Sequence, residues 1–319
     1  MNDRFWRPIS IDCIDPDLFP DVALYIKSSS NYVLYKTVDR KFTEDDRRRL
    51  ERNFTDFIYV RTGDLDAINE YMVKNLGDIL ARDEIKSAAK GRILYQTSAN
   101  YVIDVFESPA SVADMNRSRQ LIQHLMKFVA TDKCALESLQ SIVGHNFYIY
   151  AHSVHVAALN MLLHDKLYSL FPDEMIDVGL GSILHDFGMI FISDKVIEKP
   201  DALSDVEYHK VKQHTQKGYE FLKENGLNSE VALSIIRYHH ERYDGDGYPA
   251  ALKGDDIPRS AQLTALCDVY SALITDRSYH RASSPTNALK TMREEADKGH
   301  FNVELFNRFE GVMIAQNSV

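Results

Sequence analysis

Cysteine is scarce in this sequence of 319 residues, which contains three: Cys13, Cys134 and Cys267. Their number is odd and their spacing is not that of metal ligands, so the pattern argues against a disulfide framework. Reduced thiols are typical of a cytosolic protein. We therefore expect a cytoplasmic location.

Long apolar runs are also missing from the sequence. The most apolar segment, residues 175–192, is interrupted by charge, and no stretch reaches the roughly 18 uncharged residues that a membrane helix needs. The start of the chain holds no apolar run of signal-peptide length. These absences predict a soluble protein with no membrane span.

Positive charge is in deficit, with 37 Lys and Arg against 47 Asp and Glu and a formal net charge of −10. A protein that grips a long nucleic acid needs clustered basic residues to neutralise phosphates, so this class of partner is excluded. A small anionic ligand is still compatible with the sequence, because bound divalent ions would dominate the electric field of its site.

Histidine is absent before His124, whereas ten of the twelve histidines lie between His145 and His280. Imidazole is the commonest metal ligand and the usual proton-transfer group near neutral pH. The distribution therefore places the expected chemistry in the C-terminal two thirds of the chain.

Residues 1–105 are predicted to form a small α+β domain. Strands are expected at residues 32–35 and 57–60, which are rich in aromatic and β-branched side chains, and helices at residues 44–52 and 64–80. No glycine-rich phosphate loop is present. We expect a sensory or protein-interaction domain.

Residues 106–319 are predicted to form an all-α helical bundle, because helix-start signals recur along them. These signals are Ser108-Pro109, the capping box of Ser204 and Glu207, Pro258, Ser284-Pro285 and Asn302. The helix that begins at Ser108 would link the domains, pair two chains as a homodimer or pack in the core. The predicted fold class is thus two-domain, a small α+β domain followed by an all-α domain.

Seven potential metal ligands lie on or at the ends of predicted apolar helices, where unpaired polar groups are costly. They are His152, His185, Asp186, His214, His239, His240 and Asp268. The pair His185-Asp186 is expected inside a helix otherwise fit for a core. Five imidazoles and two carboxylates exceed the demand of one four-coordinate ion and suit two metals that share a carboxylate. Asp186 is the predicted bridge.

A lone histidine on a helix, such as His124, His145, His155 or His164, is more often a surface or satisfied core residue. The combined pattern of the seven ligands instead favours a metal site. Imidazole and carboxylate without thiolate indicate iron or manganese, with zinc, nickel or magnesium as alternatives. Two such ions can hold a hydroxide and clamp a phosphoryl group, which predicts phosphodiester hydrolysis.

The most specific motif is HHERYDGDGYP at residues 239–249. Weaker motifs are Lys199-Pro200-x-x-Leu203-Ser204, His214-x-x-x-Gly218, Ile257-Pro258 and Asp276-Arg277-Ser278-Tyr279. At these residues the chain resembles the HD-GYP family of metal-dependent HD hydrolases, over residues 106–319. The resemblance implies an HD-type helical bundle that hydrolyses cyclic di-GMP to pGpG, with GMP as a further product.

The resemblance also implies roles for individual residues. His185 and Asp186 would form the catalytic centre. Two metals would share Asp186, one held by His152, His185, Asp186 and Asp268 and the other by Asp186, His214, His239 and His240. Substrate contacts would come from Asp244, Gly247, Tyr248, Arg277 and His280.

Three positions depart from the family pattern. Met189 stands where the HD-x-G-K motif has lysine, His280 where a second basic residue is usual, and Tyr148 where members with a third metal carry Glu. We therefore expect two metals, and a missing lysine would weaken transition-state stabilisation.

The alternative to an active enzyme is a degenerate domain that binds cyclic di-GMP or a protein without turnover. A hydrolase of another nucleotide is disfavoured, because the GYP segment has no role in it. The expected partners are cyclic di-GMP and diguanylate cyclases or other signalling proteins.

Overall fold

The computed structural model describes residues 5–29, 31–53, 57–107, 115–131, 148–197, 199, 201–275 and 281–317. The chain divides into two compact units, Met1–Tyr101 and Val102–Val319. This division lies close to the predicted boundary at residue 105. Within the described ranges, none of the helices has the length and apolar character needed to cross a bilayer.

A four-stranded antiparallel sheet forms one layer of the N-terminal unit. Its strands are β1 (Trp6–Ser10), β2 (Leu24–Ser28), β3 (Asn31–Lys36) and β4 (Phe57–Arg61), in the order β1-β4-β2-β3. Ile9 pairs directly with Ile58, and all of Ile9, Ile58 and Val60 are buried. Because side chains alternate across a strand, these three residues share the covered face of the sheet. Strands β3 and β4 confirm the two predicted strands.

Three α-helices lie in this part of the sequence: α1 (Glu44–Arg52), α2 (Leu65–Ala81) and α3 (Ser87–Glu107), of which α3 continues past the division at Tyr101. Thr43 and Asp46 form a capping box at the start of α1, as each side chain accepts the backbone N–H of the other. A small cavity lined by Ile9, Ile68 and Ile93 lies between β1, α2 and α3. The two long helices therefore both face β1.

The C-terminal unit contains no strand among its described residues. Its helices after α3 are α4 (Met115–Thr131), α5 (Tyr148–Leu167), α6 (Pro172–Ile183), α7 (Asp194–Ile197), α8 (Asp205–Lys212), α9 (His214–Glu224), α10 (Glu230–Tyr238), α11 (Arg259–Ile274), α12 (Pro285–Asp297) and α13 (Val303–Asn317). The predicted class, a small α+β domain followed by an all-α bundle, is confirmed. The predicted helix start at Ser108-Pro109 lies outside the described residues.

The other helix starts expected from the sequence are confirmed. Ser204 and Glu207 form the capping box of α8, and the Ser284 hydroxyl accepts a backbone N–H in the first turn of α12. Pro258 and Asn302 directly precede α11 and α13. Of the helices that begin at these signals, α11 carries a predicted ligand, Asp268.

A buried polar network ties three helices of this unit together. The amide of Asn160 on α5 donates to the hydroxyls of Ser182 on α6, at 2.7 Å, and of Thr264 on α11, at 2.8 Å. All three side chains are fully buried. Because predicted metal ligands lie on or directly after each of these helices, the network fixes the relative positions of the elements that build the site.

Candidate metal centre

His185 and Asp186 lie in the turn that follows α6, which ends at Ile183. The expectation that the pair lies inside a helix is therefore wrong. The ring of His185 donates its Nδ1–H to the carbonyl of Ser182, at 2.8 Å. This carbonyl is one of the last four of the helix, which have no partner within it. The imidazole thus ends the helix and keeps its Nε2 free to face the interior.

His239 and His240 occupy the equivalent place after α10. The Nδ1–H of His239 donates to two carbonyls in the last turn of α10, each at 3.1 Å. His214, the first residue of α9, donates from Nδ1 to the carbonyl of Val211 at 2.8 Å. Each of the three rings therefore carries a proton on Nδ1, so that Nε2 is the atom that can offer a lone pair when the ring is neutral.

These Nε2 atoms converge on the Asp186 carboxylate. Its Oδ2 lies 3.3 Å from Nε2 of His185, and its Oδ1 lies 3.3 Å from Nε2 of His214 and 3.9 Å from Nε2 of His239. Ligand atoms of Asp186, His214, His239 and His240 all lie within 4.8 Å of one another. One carboxylate thus faces imidazoles on both of its oxygens.

His152 on α5 and Asp268 on α11 complete the cluster. Nε2 of His152 lies 2.9 Å from Oδ1 of Asp268, and Nδ1 of His240 lies 3.9 Å from Oδ2. Ligand atoms of His152, His185 and Asp186 lie within 4.8 Å of one another, and so do those of His185, His239 and Asp268. The structure brings all seven predicted ligand residues together.

Two features of the cluster suit a bound cation. Nε2 of His185 is buried and has no hydrogen-bond partner among the described residues. Nε2 of His214 and Nε2 of His239 are 3.4 Å apart, so two lone pairs face each other when both rings are neutral. Buried polar atoms without a partner are costly, and a divalent ion accepts such lone pairs. A cluster of imidazoles and carboxylates with no sulfur ligand therefore suits a divalent metal ion.

Burial and neighbouring charges act together on protonation in the cluster. Burial opposes a charge on His185, but the Asp186 carboxylate outweighs it and raises the pKa of His185 to about 9. Burial lowers the pKa of His240 to about 4 and, with the adjacent imidazoles, that of His239 well below its usual range. Against the effect of burial, the imidazoles hold the pKa of Asp186 and of Asp268 low. Both carboxylates are therefore anionic at neutral pH.

The loop after His240 is organised around the buried carboxylate of Glu241. Its two oxygens accept the backbone N–H groups of Ala250, at 2.7 Å, and Leu252, at 3.0 Å. Burial raises the pKa of Glu241, and the backbone donors oppose that rise. Glu241 therefore holds the far end of the loop beside the metal-ligand cluster, a role that the sequence did not indicate.

Asp244 and Gly247, both predicted to contact substrate, have contacts within this loop. A Cβ on Gly247 would overlap the backbone nitrogen of Arg242, so the close packing needs glycine. The Asp244 carboxylate pairs with the Arg242 guanidinium and accepts the N–H of Asp246 at 2.9 Å. Both residues thus shape the loop that carries Tyr248.

Tyr248 lies beside the metal-ligand cluster. Its ring stacks on that of His240, with centroids 4.8 Å apart and planes at 27°. Its backbone N–H donates to the His240 carbonyl at 3.2 Å. Burial raises the pKa of the Tyr248 hydroxyl, which therefore stays protonated as a hydrogen-bond donor.

Comparisons with known proteins agree with this site. A profile of the HD domain family matches residues 149–305. The chain is 31% identical over 234 residues to cyclic di-GMP phosphodiesterase PA4108 of Pseudomonas aeruginosa, covering 72% of this chain and 55% of that protein. Its fold matches Bd1817, an HDG"Y"P protein from Bdellovibrio bacteriovorus, with a TM-score of 0.71 at 21% identity, covering 97% of this chain and 99% of that one. The chain belongs to the HD-GYP family.

Two other relatives are named for different cyclic dinucleotides. Cyclic di-GMP phosphodiesterase response regulator RpfG of Xanthomonas campestris is 40% identical over 122 residues, 38% of this chain and 32% of that protein. A 3'3'-cGAMP-specific phosphodiesterase 2 of Vibrio cholerae is 38% identical over 143 residues, 44% of this chain and 27% of that protein. The chain spans about half the length of PA4108 and about a third or less of these two.

Lys212 lies beside the loop that carries Tyr248. It is a further candidate residue that the sequence did not single out. Its Nζ lies 5.1 Å from the centroid of the Tyr208 ring and 5.8 Å from that of Tyr248. Among the described residues, its ammonium contacts these aromatic rings and not a carboxylate. The i, i+4 spacing of Tyr208 and Lys212 on α8 was the available signal. Lys212 places a positive charge next to the predicted substrate contact.

Two of the positions that depart from the HD-GYP pattern have different outcomes. Met189 lies in the short 3-10 helix Phe187–Phe191 directly after Asp186, so its apolar side chain follows the predicted catalytic pair. His280 lies outside the described residues, as does Arg277, and their substrate contacts stay predictions.

Proposed function

We propose that this protein is a metal-dependent phosphodiesterase that hydrolyses cyclic di-GMP to pGpG, with GMP as a further product. The observation that carries the proposal is the cluster of seven ligand residues around Asp186, with Tyr248 stacked on one of them. Relatives named cyclic di-GMP phosphodiesterases, at 31% and 40% identity, support the substrate class.

The ligands are assigned to two divalent ions that share Asp186. One ion would be held by His152, His185, Asp186 and Asp268, and the other by Asp186, His214, His239 and His240. The second set coincides with a group whose ligand atoms lie within 4.8 Å of one another. Iron or manganese suits these ligands, with zinc, nickel or magnesium as alternatives. When bound, two such ions supply Lewis acidity toward the phosphate and lower the pKa of water.

The residues of the chain bind and orient the substrate in this proposal. His185 and Asp186 form the centre at which the phosphodiester reacts. Tyr248 presents its ring to a nucleobase or to the substrate backbone, on a loop that Glu241 holds through two hydrogen bonds. Arg277 would pair with a phosphate or a guanine edge through its planar donors. Further contacts are proposed for Asp244, Gly247 and His280.

Purified protein loaded with manganese or iron is expected to convert cyclic di-GMP to pGpG under anaerobic conditions. Chromatography of the nucleotides over time measures the products, and 3'3'-cGAMP serves as the comparison substrate because one relative is named for it. Metal-loaded protein that forms neither pGpG nor GMP would exclude the proposed reaction. Faster hydrolysis of 3'3'-cGAMP than of cyclic di-GMP would instead reassign the substrate.

A second function, favoured by Met189, is a degenerate domain that binds cyclic di-GMP without hydrolysing it. Calorimetric binding without turnover would select this function, and a Met189→Lys variant that gained turnover would locate the defect.

In either case the N-terminal unit is proposed as a sensory or interaction module for a diguanylate cyclase or another signalling protein. A cytoplasmic location and a homodimer belong to the same proposal.

Lys212→Met is expected to raise KM for cyclic di-GMP about tenfold, equivalent to about 1.4 kcal/mol. The reason is that the Lys212 ammonium, next to Tyr248, is placed to contact a phosphate of the dianionic substrate. Initial rates give KM, and elemental analysis should show unchanged metal content. Lys210→Met is the matched control, because it removes the same charge from an exposed position on α8. Equal KM values for the two variants would remove Lys212 from the proposed site.

A further inference from the structure

Ser271 on α11 lies between two buried imidazoles of α5. Its Oγ is 3.0 Å from Nδ1 of His152 and 2.9 Å from Nδ1 of His155. Ser271 is fully buried, and the two histidines are 3% and 4% exposed. One turn earlier on α11, Oδ1 of Asp268 lies 2.9 Å from Nε2 of His152. Helix α11 therefore contacts both ring nitrogens of His152, and the same hydroxyl contacts a second ring.

A serine hydroxyl has one proton and two lone pairs, so it cannot donate to both imidazoles. With both rings neutral, two arrangements satisfy the contacts of the Ser271 hydroxyl. In the first, Ser271 donates to His152 and accepts from His155, and Nε2–H of His152 donates to Asp268. In the second, Nδ1–H of His152 donates to Ser271, which donates to Nδ1 of His155. Both arrangements contain the same number of protons.

The second arrangement alone leaves Nε2 of His152 with the lone pair that a metal ligand needs. The first satisfies His152 and Asp268 without an ion. Passage from the first to the second moves the His152 proton from Nε2 to Nδ1, turns the Ser271 hydroxyl and moves the His155 proton from Nδ1 to Nε2. Burial keeps His155 neutral, since it lowers the pKa of that ring to about 3.

We propose that Ser271 and His155 are positioning residues that set the tautomer of His152 and switch it when a metal binds. This inference rests on the metal site of the proposed function and adds to it a hydrogen-bond relay behind one ligand. A hydroxyl is needed at residue 271, because it can donate to Nδ1 of His152 in the first arrangement and accept from Nδ1–H of His152 in the second. Alanine there would leave the buried Nδ1–H of metal-bound His152 without this acceptor.

The test uses zinc, a diamagnetic ion, and the full-length protein labelled with 15N in its histidine rings. NMR distinguishes the two tautomers of each ring, and His155→Gln identifies the His155 signals by their loss. Zinc is expected to move the His155 proton from Nδ1 to Nε2 in the wild type. Ser271→Ala should abolish this response and weaken zinc binding about 10-fold to 100-fold in competition with a chelator.

Two variants separate the relay from a general loss of packing. Ser271→Thr keeps the hydroxyl and should restore the zinc affinity. Ser98→Ala removes a fully buried hydroxyl that donates within α3, and it should match the wild type in both measurements. The relay is wrong if His155 in the wild type has one tautomer with and without zinc, or if Ser271→Ala binds zinc as Ser98→Ala does. Wild-type protein that takes up neither zinc nor manganese would reject the metal site itself and the relay with it.

Discussion

Asp186→Asn is expected to abolish retention of divalent metal and to lower turnover of cyclic di-GMP by at least about a thousandfold. The substitution keeps the shape of the side chain but removes the negative charge that faces Nε2 of His185 and Nε2 of His214, each at 3.3 Å. Because both proposed ions share this carboxylate, its loss affects both at once. Elemental analysis gives the metal content per chain, and product formation gives the activity.

Asp173→Asn is the matched control for this variant, since it makes the same change at an exposed position in the first turn of α6. A metal that binds only the folded protein stabilises it by about 4 kcal/mol when its concentration is a thousand times Kd. Manganese should therefore raise the melting temperature of the wild type and of Asp173→Asn, but not that of Asp186→Asn. A full complement of metal in Asp186→Asn would show that this carboxylate is not the bridge.

The residues of the cluster could be predicted because metal ligation restricts residue type. Imidazoles and carboxylates in apolar surroundings have few other roles, and seven of them recur along the C-terminal unit. The caps of α8 and α12 were equally accessible, since Ser204 and Ser284 bond to groups within one turn of themselves. The residue type of the ligands is a chemical signal and the helix caps are local ones. Neither depends on the packing of distant segments.

The end of α6 could not be predicted from the apolar pattern of its sequence. Apolar residues continue through Leu184, as they would in a longer helix. The helix nevertheless ends, because the His185 ring donates a hydrogen bond to the Ser182 carbonyl and the chain turns. Strands β1 and β2 were not among the predicted strands either. Pro8 argues against a strand in the middle of a sheet, yet β1 is an edge strand, where proline is tolerated.

Contacts between residues far apart in the sequence leave no mark in a single chain. Ser271 and His152 touch although they are 119 positions apart, and the sequence favours a merely structural role for His155. Lys212 became a candidate only through its distance from Tyr248. The side chains that contact the proposed ligands and Tyr248 therefore became visible only through the packing of the helices, whereas the proposed ligands could be predicted from residue type.

Gly188 explains how the turn that carries Asp186 reaches α9. A Cβ on Gly188 would overlap the carbonyl oxygen of His214 and would lie 2.8 Å from the backbone nitrogen of Gly218. A Cβ on Gly218 would in turn lie 3.0 Å from the backbone nitrogen of Gly188. These are backbone atoms, which cannot rotate away as a side chain does. The close approach of two glycines thus brings Asp186 within 3.3 Å of His214.

Gly188→Ala is therefore expected to destabilise the protein by about 3 kcal/mol and to lower its melting temperature by roughly 6 to 12 °C. It should also reduce metal content, because the added methyl group pushes Asp186 away from His214. Thermal unfolding and elemental analysis measure the two effects. Gly311→Ala is the matched control, as nothing lies within 4 Å of a Cβ there, and alanine favours the helix by up to about 1 kcal/mol. If Gly188→Ala melted and bound metal as Gly311→Ala does, the glycine contact would not be what joins Asp186 to His214.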